Sequence, residues 1–156
     1  MPADSERPDP ATAQQRLPRT WRPLGPRIAG IVFGGALLVV FGVAWVTLGA
    51  ENRAKFTPFQ IGTMVVLTAL GYAVIYALVR SRVVAEPDRL VIVNGYRRRE
   101  LDWAEVVAIR LPPGAPWATL DLSDGTTVSA MGIQGSDGAR AQQAVREIRT
   151  LADRLG

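Results

Sequence analysis

The chain has 156 residues, a formal charge of +4, 48% apolar side chains, and neither cysteine nor histidine. That leaves room for one globular unit and excludes disulfides, thiolate zinc sites, Cys or His nucleophiles and imidazole bases. Nor is the positive charge a nucleic-acid footprint: ten arginines balance ten acidic residues from Arg82 to Gly156, and the excess lies in the first 27 residues, Arg53, Lys55 and Arg80.

Residues 1–26 are rich in proline, with Asp, Ser, Gln and Arg and no apolar period. Such a segment buries too little surface to offset its ordering entropy, so a disordered cytoplasmic tail is expected. It does not read as a signal peptide, because the apolar run starts late, is long, and is followed by Glu51-Asn52-Arg53.

Two uncharged runs then form an expected two-helix transmembrane hairpin over residues 27–80, with spans at 28–50 and 60–79. Arg16, Arg19, Arg22 and Arg27 precede it and Arg80 and Arg82 follow it, against Arg53 and Lys55 in the joint. Basic flanks favour the cytoplasmic side, which predicts a multi-pass protein of the cell membrane with both termini cytoplasmic. Gly35, Gly42 and Gly49 recur every seven residues, Gly30 and Gly34 form a GxxxG pair, and Ala69, Ala73 and Ala77 recur every four. Such faces let helix backbones approach closely, either within the hairpin or between copies in a homo-oligomer. With no charge inside either span, transport has no ion path. Trp21, Trp45, Tyr72 and Tyr76 suit interfacial positions, Trp45 and Tyr72 alternatively as deeper packing residues.

Residues 82–156 change period. Strands are expected at Arg82–Glu86, Leu90–Val93, Tyr96–Leu101, Val106–Leu111, Trp117–Leu122 and Thr126–Ala130, with a type I′ turn at Asn94-Gly95 and a second hairpin turn at Ser123-Asp124-Gly125. Residues 132–138 read as a glycine-rich linker without the lysine of a phosphate loop. An amphipathic helix follows, its apolar stripe carrying Ala141, Ala144, Val145, Ile148, Leu151, Ala152 and Leu155, with Ser136 or Asp137 as N-cap.

The run from Asp88 to Val106, DRLVIVNGYRRRELDWAEV, resembles bacterial pleckstrin-homology (PH) domains: a strand, a glycine turn, an arginine-bearing return strand, and a polar step into a valine strand. With its preceding spans and terminal helix, the chain from about Trp21 to Leu155 resembles the actinobacterial low molecular weight protein antigen 6 PH-domain family. The resemblance implies a membrane α-helical hairpin followed by a small α+β PH-like domain. Its antiparallel β-barrel or sheet would have six to seven strands, capped by the C-terminal helix. Lipid-binding PH domains carry a basic loop between their first two strands, read here as the Glu86–Arg89 loop with its acidic residues.

Arg97, Arg98 and Arg99 are the densest charge and, with Trp117 at the end of a proline-rich loop, the candidate lipid or partner contacts. The plainer readings are a solvated strand paired with Glu100, Asp102 or Glu105, and a rigid strand connection. Asp121 and Asp124 form no catalytic pair, since Asp124-Gly125 is turn chemistry. The expectation is therefore a non-enzymatic interaction module without cofactor or metal. It would be anchored in membrane lipids and dock a protein partner, with anionic-headgroup sensing by Arg97–Arg99 as the alternative.

Overall fold

The computed structural model describes residues 17–156. Helix α1 (Gly25–Thr47), the short α2 (Gly49–Arg53) and α3 (Pro58–Arg80) form the helical hairpin. The two long helices have 23 residues each and reach about 34 Å at 1.5 Å per residue, enough to cross a bilayer core by length. They are almost wholly exposed. Thr57 starts α3 with a capping box: its hydroxyl accepts from the Gln60 N–H while the Gln60 side chain accepts from the Thr57 N–H, and Pro58 follows at the first helical position.

Among the described residues seven strands follow as β1 (Arg19–Trp21), β2 (Arg82–Ala85), β3 (Arg89–Asn94), β4 (Arg97–Asp102), β5 (Val106–Arg110), β6 (Trp117–Leu122) and β7 (Thr127–Gln134). They make two antiparallel sheets, β1-β2-β3-β4 and β5-β6-β7, that are not closed into a barrel. Six strands lie where the pattern predicts them. The seventh is β1, and it corrects the reading of the tail as unstructured to residue 26: Arg19, Thr20 and Trp21 pair with Ala85, Val84 and Val83. Leu17 and Trp21 pack against the core. The remaining tail residues, 1–16, lie outside the described residues. The helical hairpin is therefore inserted between the first two strands of the domain.

The core is the alternating face of β2 and β3 (Val83, Ala85, Leu90, Ile92), with Leu101, Trp103, Ile109, Leu120, Val128, Ala130 and Ile133. Helix α4 (Ala139–Leu155) closes it with Ala141, Ala144, Val145 and Ile148 buried and Leu151, Ala152 and Leu155 half-buried against them, the stripe expected from the sequence. Trp103 in a 3₁₀ turn (Trp103–Glu105) donates its indole N–H to the Glu86 carbonyl at 3.0 Å, which satisfies its buried polar atom.

Two local readings change. Residues 132–134 are not linker: β7 runs on to Gln134, with a register irregularity between Trp117 and Ala118 where Ile133 turns into the core. A Cβ on Gly132 would lie 2.6 Å from the Arg82 backbone, so β7 crosses β2 where only glycine fits. The β3–β4 turn has Gly95 and Tyr96 as central residues, since Asn94 pairs with Arg97. Positive φ at Gly95 alone is the type II′ rather than the I′ pattern. Asn94 is freed to bridge the sheets: its side-chain amide donates to the Ser129 carbonyl and accepts from the Met131 N–H at 3.0 Å.

Candidate interaction surface

The joint between domain and hairpin carries the most organised polar contacts. Helix α1 begins without a capping side chain of its own, and Leu24 and Gly25 instead donate their N–H groups to the two oxygens of Asp137 at 3.1 Å each. Asp137 thus caps α1 from 112 residues away, a correction to its expected role on α4, whose N-cap is Gly138. Glu147 on α4 holds β1, accepting from the Arg19 guanidinium at 2.8 Å and the Trp21 indole at 3.0 Å. Trp21 is therefore half-buried, held against the domain core by β1.

At the other helix end, Ser81 is buried and its hydroxyl accepts from the Gly95 N–H at 3.0 Å while donating to the Ala77 carbonyl. The Tyr96 hydroxyl donates to the Ala73 carbonyl at 2.8 Å, its ring 6.3 Å from that of Tyr76. Two of the three alanines expected to pack helix on helix thus face the domain: Ala73 receives Tyr96, and the Ala77 Cβ lies 3.2 Å from the site of a Gly95 Cβ. Ala69 lines an apolar groove of about 600 Å³ between α1 and α3 together with Gly42, Trp45 and Tyr72.

Gly30 faces Ile75 and Val79, and Gly34 faces Tyr72, whose hydroxyl donates to the Gly34 carbonyl. A Cβ at Gly35, Gly42 or Gly49 would meet nothing within 4 Å. Gly49, with φ of 74°, is the left-handed first residue of α2, where the chain turns from α1, rather than a packing residue.

The arginine row lies on β4, the edge strand of its sheet. Arg98 shares the outer face with Glu100 and pairs with it at 2.7 Å; Glu100 also accepts from Arg89 at 2.8 Å, and Arg89 reaches Asp88 at 2.6 Å. Hydrogen bonds from Arg89 and then the Arg98 charge hold the Glu100 carboxyl below its ordinary range, and the Arg89 hydrogen bond does the same for Asp88. Arg97 and Arg99 take the opposite face, are exposed, and have no carboxylate within 4 Å among the described residues. Hydrogen bonds from Thr126 lower the Asp124 carboxyl, with the Arg99 charge contributing less. Asp124 is the turn residue expected, accepting from both Thr126 donors. Asp121 pairs with Arg110 at 2.6 Å.

Trp117 is half-buried at the start of β6 and outside the core cluster. The preceding proline loop is held by Gly135 donating to the Pro116 carbonyl and by Gln142 donating to the Leu111 carbonyl. On β5, the Ile109 carbonyl accepts from Arg149 at 3.0 Å, so α4 occupies that edge too. Among the described residues no three His, Cys, Asp or Glu side chains cluster to hold a metal ion.

Two stacked antiparallel sheets with a C-terminal helix across one opening are the architecture of a PH-like domain. Residues 80–151 match the bacterial PH domain family, and this carboxy-terminal domain belongs to it. The chain is also 32% identical over 99 residues to uncharacterized proteins of Mycobacterium bovis and of two Mycobacterium tuberculosis strains, covering 62% of this chain. It spans 64% of the length of those relatives. PH domains are in general interaction modules and not catalysts.

The match begins at residue 80, the last of α3, and so leaves out β1, the part of the domain least visible in sequence. With β1 located, Glu86–Arg89 becomes the β2–β3 turn. The first inter-strand connection is the helical hairpin itself, and the acidic residues of Glu86–Arg89 say nothing about a first-loop ligand site. Asp137, Glu147, Ser81 and Tyr96 went unnoticed as joint residues. Only Tyr96, an aromatic beside three arginines, carried a readable signal.

Proposed function

We propose that α1 and α3 span the cell membrane with both flanks on the cytoplasmic side, and that the PH domain presents β4 to a protein partner in the same membrane. The supporting observation is the insertion of the hairpin between β1 and β2, which puts both helix flanks and the domain at one end of two exposed apolar helices. Arg22, Arg27, Arg80 and Arg82 gather at that end, the distribution expected of a cytoplasmic face.

The surface offered is an edge strand whose Arg97 and Arg99 are free to form charge-assisted bonds with an acidic segment, in orientation and position fixed by the joint. Confinement to one membrane raises the effective concentration of such a partner. The test is site-specific photo-crosslinking from position 102, exposed at the end of β4, in the full-length protein in its native membrane. Protein adducts that vanish when Arg97, Arg98 and Arg99 are changed to Ser support the reading. Adducts that persist in that variant, or that form equally from position 110, sink it.

Anionic-headgroup sensing is the second reading, favoured by the position of Arg97 directly after Tyr96, which touches α3. It requires the full-length protein to retain anionic over zwitterionic lipid at physiological salt, with retention lost in the same triple variant.

A further inference from the structure

We infer that the β3–β4 turn is itself a membrane-contacting wedge, with Tyr96 seated in the interfacial layer of the leaflet that holds the domain end of α3. The inference rests on the proposal that α1 and α3 span a membrane. It adds that the domain does not hang free above the surface.

The observations are geometric. Tyr96 is one of the most exposed large side chains of the domain, yet its hydroxyl donates to the carbonyl of Ala73, a residue of α3. Ala73 lies seven residues before the helix end at Arg80, so this contact sits about 10 Å along the axis toward the far end of the hairpin. With a helix of about 34 Å centred on a core of about 30 Å, the boundary between headgroups and acyl chains lies about 2 Å in from Arg80, so the Tyr96 hydroxyl reaches the upper acyl chains while the backbone of its turn, against Ala77, stays near the boundary. Gly95 makes the approach possible, because a side chain there would press on Ala77, and Ser81 fixes the turn by accepting from its N–H.

A tyrosine at that depth has the chemistry the layer selects: an apolar ring facing acyl chains and a hydroxyl already satisfied by a backbone carbonyl. Arg97, the next residue, is then carried to the level of the phosphates. The partner of the β3–β4 turn is the phospholipid interface of the leaflet in which the hairpin stands, and the rest of β4 stays open to a protein.

The chain has no cysteine, so single cysteines report position without a background. The full-length protein is labelled with an environment-sensitive fluorophore at Tyr96→Cys, or at Arg97→Cys, which keeps the tyrosine. It is then reconstituted into phosphatidylcholine/phosphatidylglycerol vesicles carrying nitroxide at the headgroup or on the upper acyl chain. Val40→Cys in α1 and Pro87→Cys in the distal β2–β3 turn serve as references. Quenching at 96 by both lipids and at 97 by the headgroup nitroxide, with position 87 unquenched, is the expected result. Labels at 96 and 97 as unquenched as 87, while 40 is quenched, overturn the wedge and leave the membrane span standing. An unquenched label at 40 removes the span and the wedge with it.

Discussion

Asp137→Ala tests whether the domain and the first helix form one structural unit. The wild-type carboxylate accepts from the Leu24 and Gly25 N–H groups at 3.1 Å, and no side chain of the α1 terminus does so. Loss of a helix cap costs about 0.5–2 kcal/mol. The helix dipole adds about 0.3–1 kcal/mol for the removed negative charge, partly the same interaction counted again. A net loss of about 1.4 kcal/mol raises the open fraction of this joint about tenfold. Amide hydrogen exchange on the full-length protein should then speed up by about that factor at Leu24, Gly25 and Arg27 and in β1, because local opening governs exchange. Asp137→Asn keeps an acceptor and should fall between. Unchanged exchange at Leu24, Gly25 and Arg27 in Asp137→Ala would refute the capping role and, with it, the rigid joint.

Other consequences are open to direct measurement. Gly132→Ala places a Cβ 2.6 Å from the Arg82 backbone, so overpacking of about 1–3 kcal/mol should lower the thermal midpoint of the solubilised protein; an unchanged midpoint contradicts the β2–β7 crossing. Residues 82–156 expressed alone lack β1 and leave β2 as an open edge, so they should self-associate, whereas the same segment joined through a flexible linker to residues 17–24 should be monomeric and more stable. Equal behaviour of the two would remove β1 from the domain. The Glu100 carboxyl is held low in the folded protein, so its contribution to stability is present above the ordinary carboxylate range and is lost as pH falls from that range through the lowered folded value. Titration of Glu100 by NMR should move upward in Arg98→Ser and further in Arg89→Ser, and a Glu100 that titrates normally in the wild type would discount the cluster.

The parts of the fold legible in the sequence were those with a strong local period. β-Branched runs bounded by turn residues located β2 to β6, and the stripe from Ala141 to Leu155 located α4 because it buries one face against the core. β1 was illegible because three residues, Arg-Thr-Trp, have no period to read, and their strand conformation comes from pairing with β2 across a 60-residue insertion. The end of β7 was hidden by Gly132, read as linker chemistry although the glycine serves a backbone crossing. Of the candidate contacts, the arginine row was found from charge density alone. The joint was missed because Asp137 and Glu147 look like ordinary turn and surface acids until β1 and α1 are set against them.

The same topology explains why small residues are needed at only one end of the hairpin. β1 and β2 are adjacent strands about 4.8 Å apart, so the helices that leave them must start close together, nearer than the usual 8–10 Å between packed helices. Gly30 and Gly34 stand at that end, with the sites of their Cβ atoms 3.0 Å from Ile75 and 3.3 Å from Tyr72. Toward α2, at the far end of the hairpin, the constraint lapses, the groove opens, and Gly42 has space around it. Gly30→Leu should therefore force α1 and α3 apart where they enter the sheet and loosen the β1–β2 pairing, seen as faster exchange at Thr20 and Val84 and a lower thermal midpoint. Gly42→Leu, the same change twelve residues on, should leave both unchanged. If the two substitutions act alike on β1, the glycines serve the apolar helices in general and not the closure of the domain around its insertion.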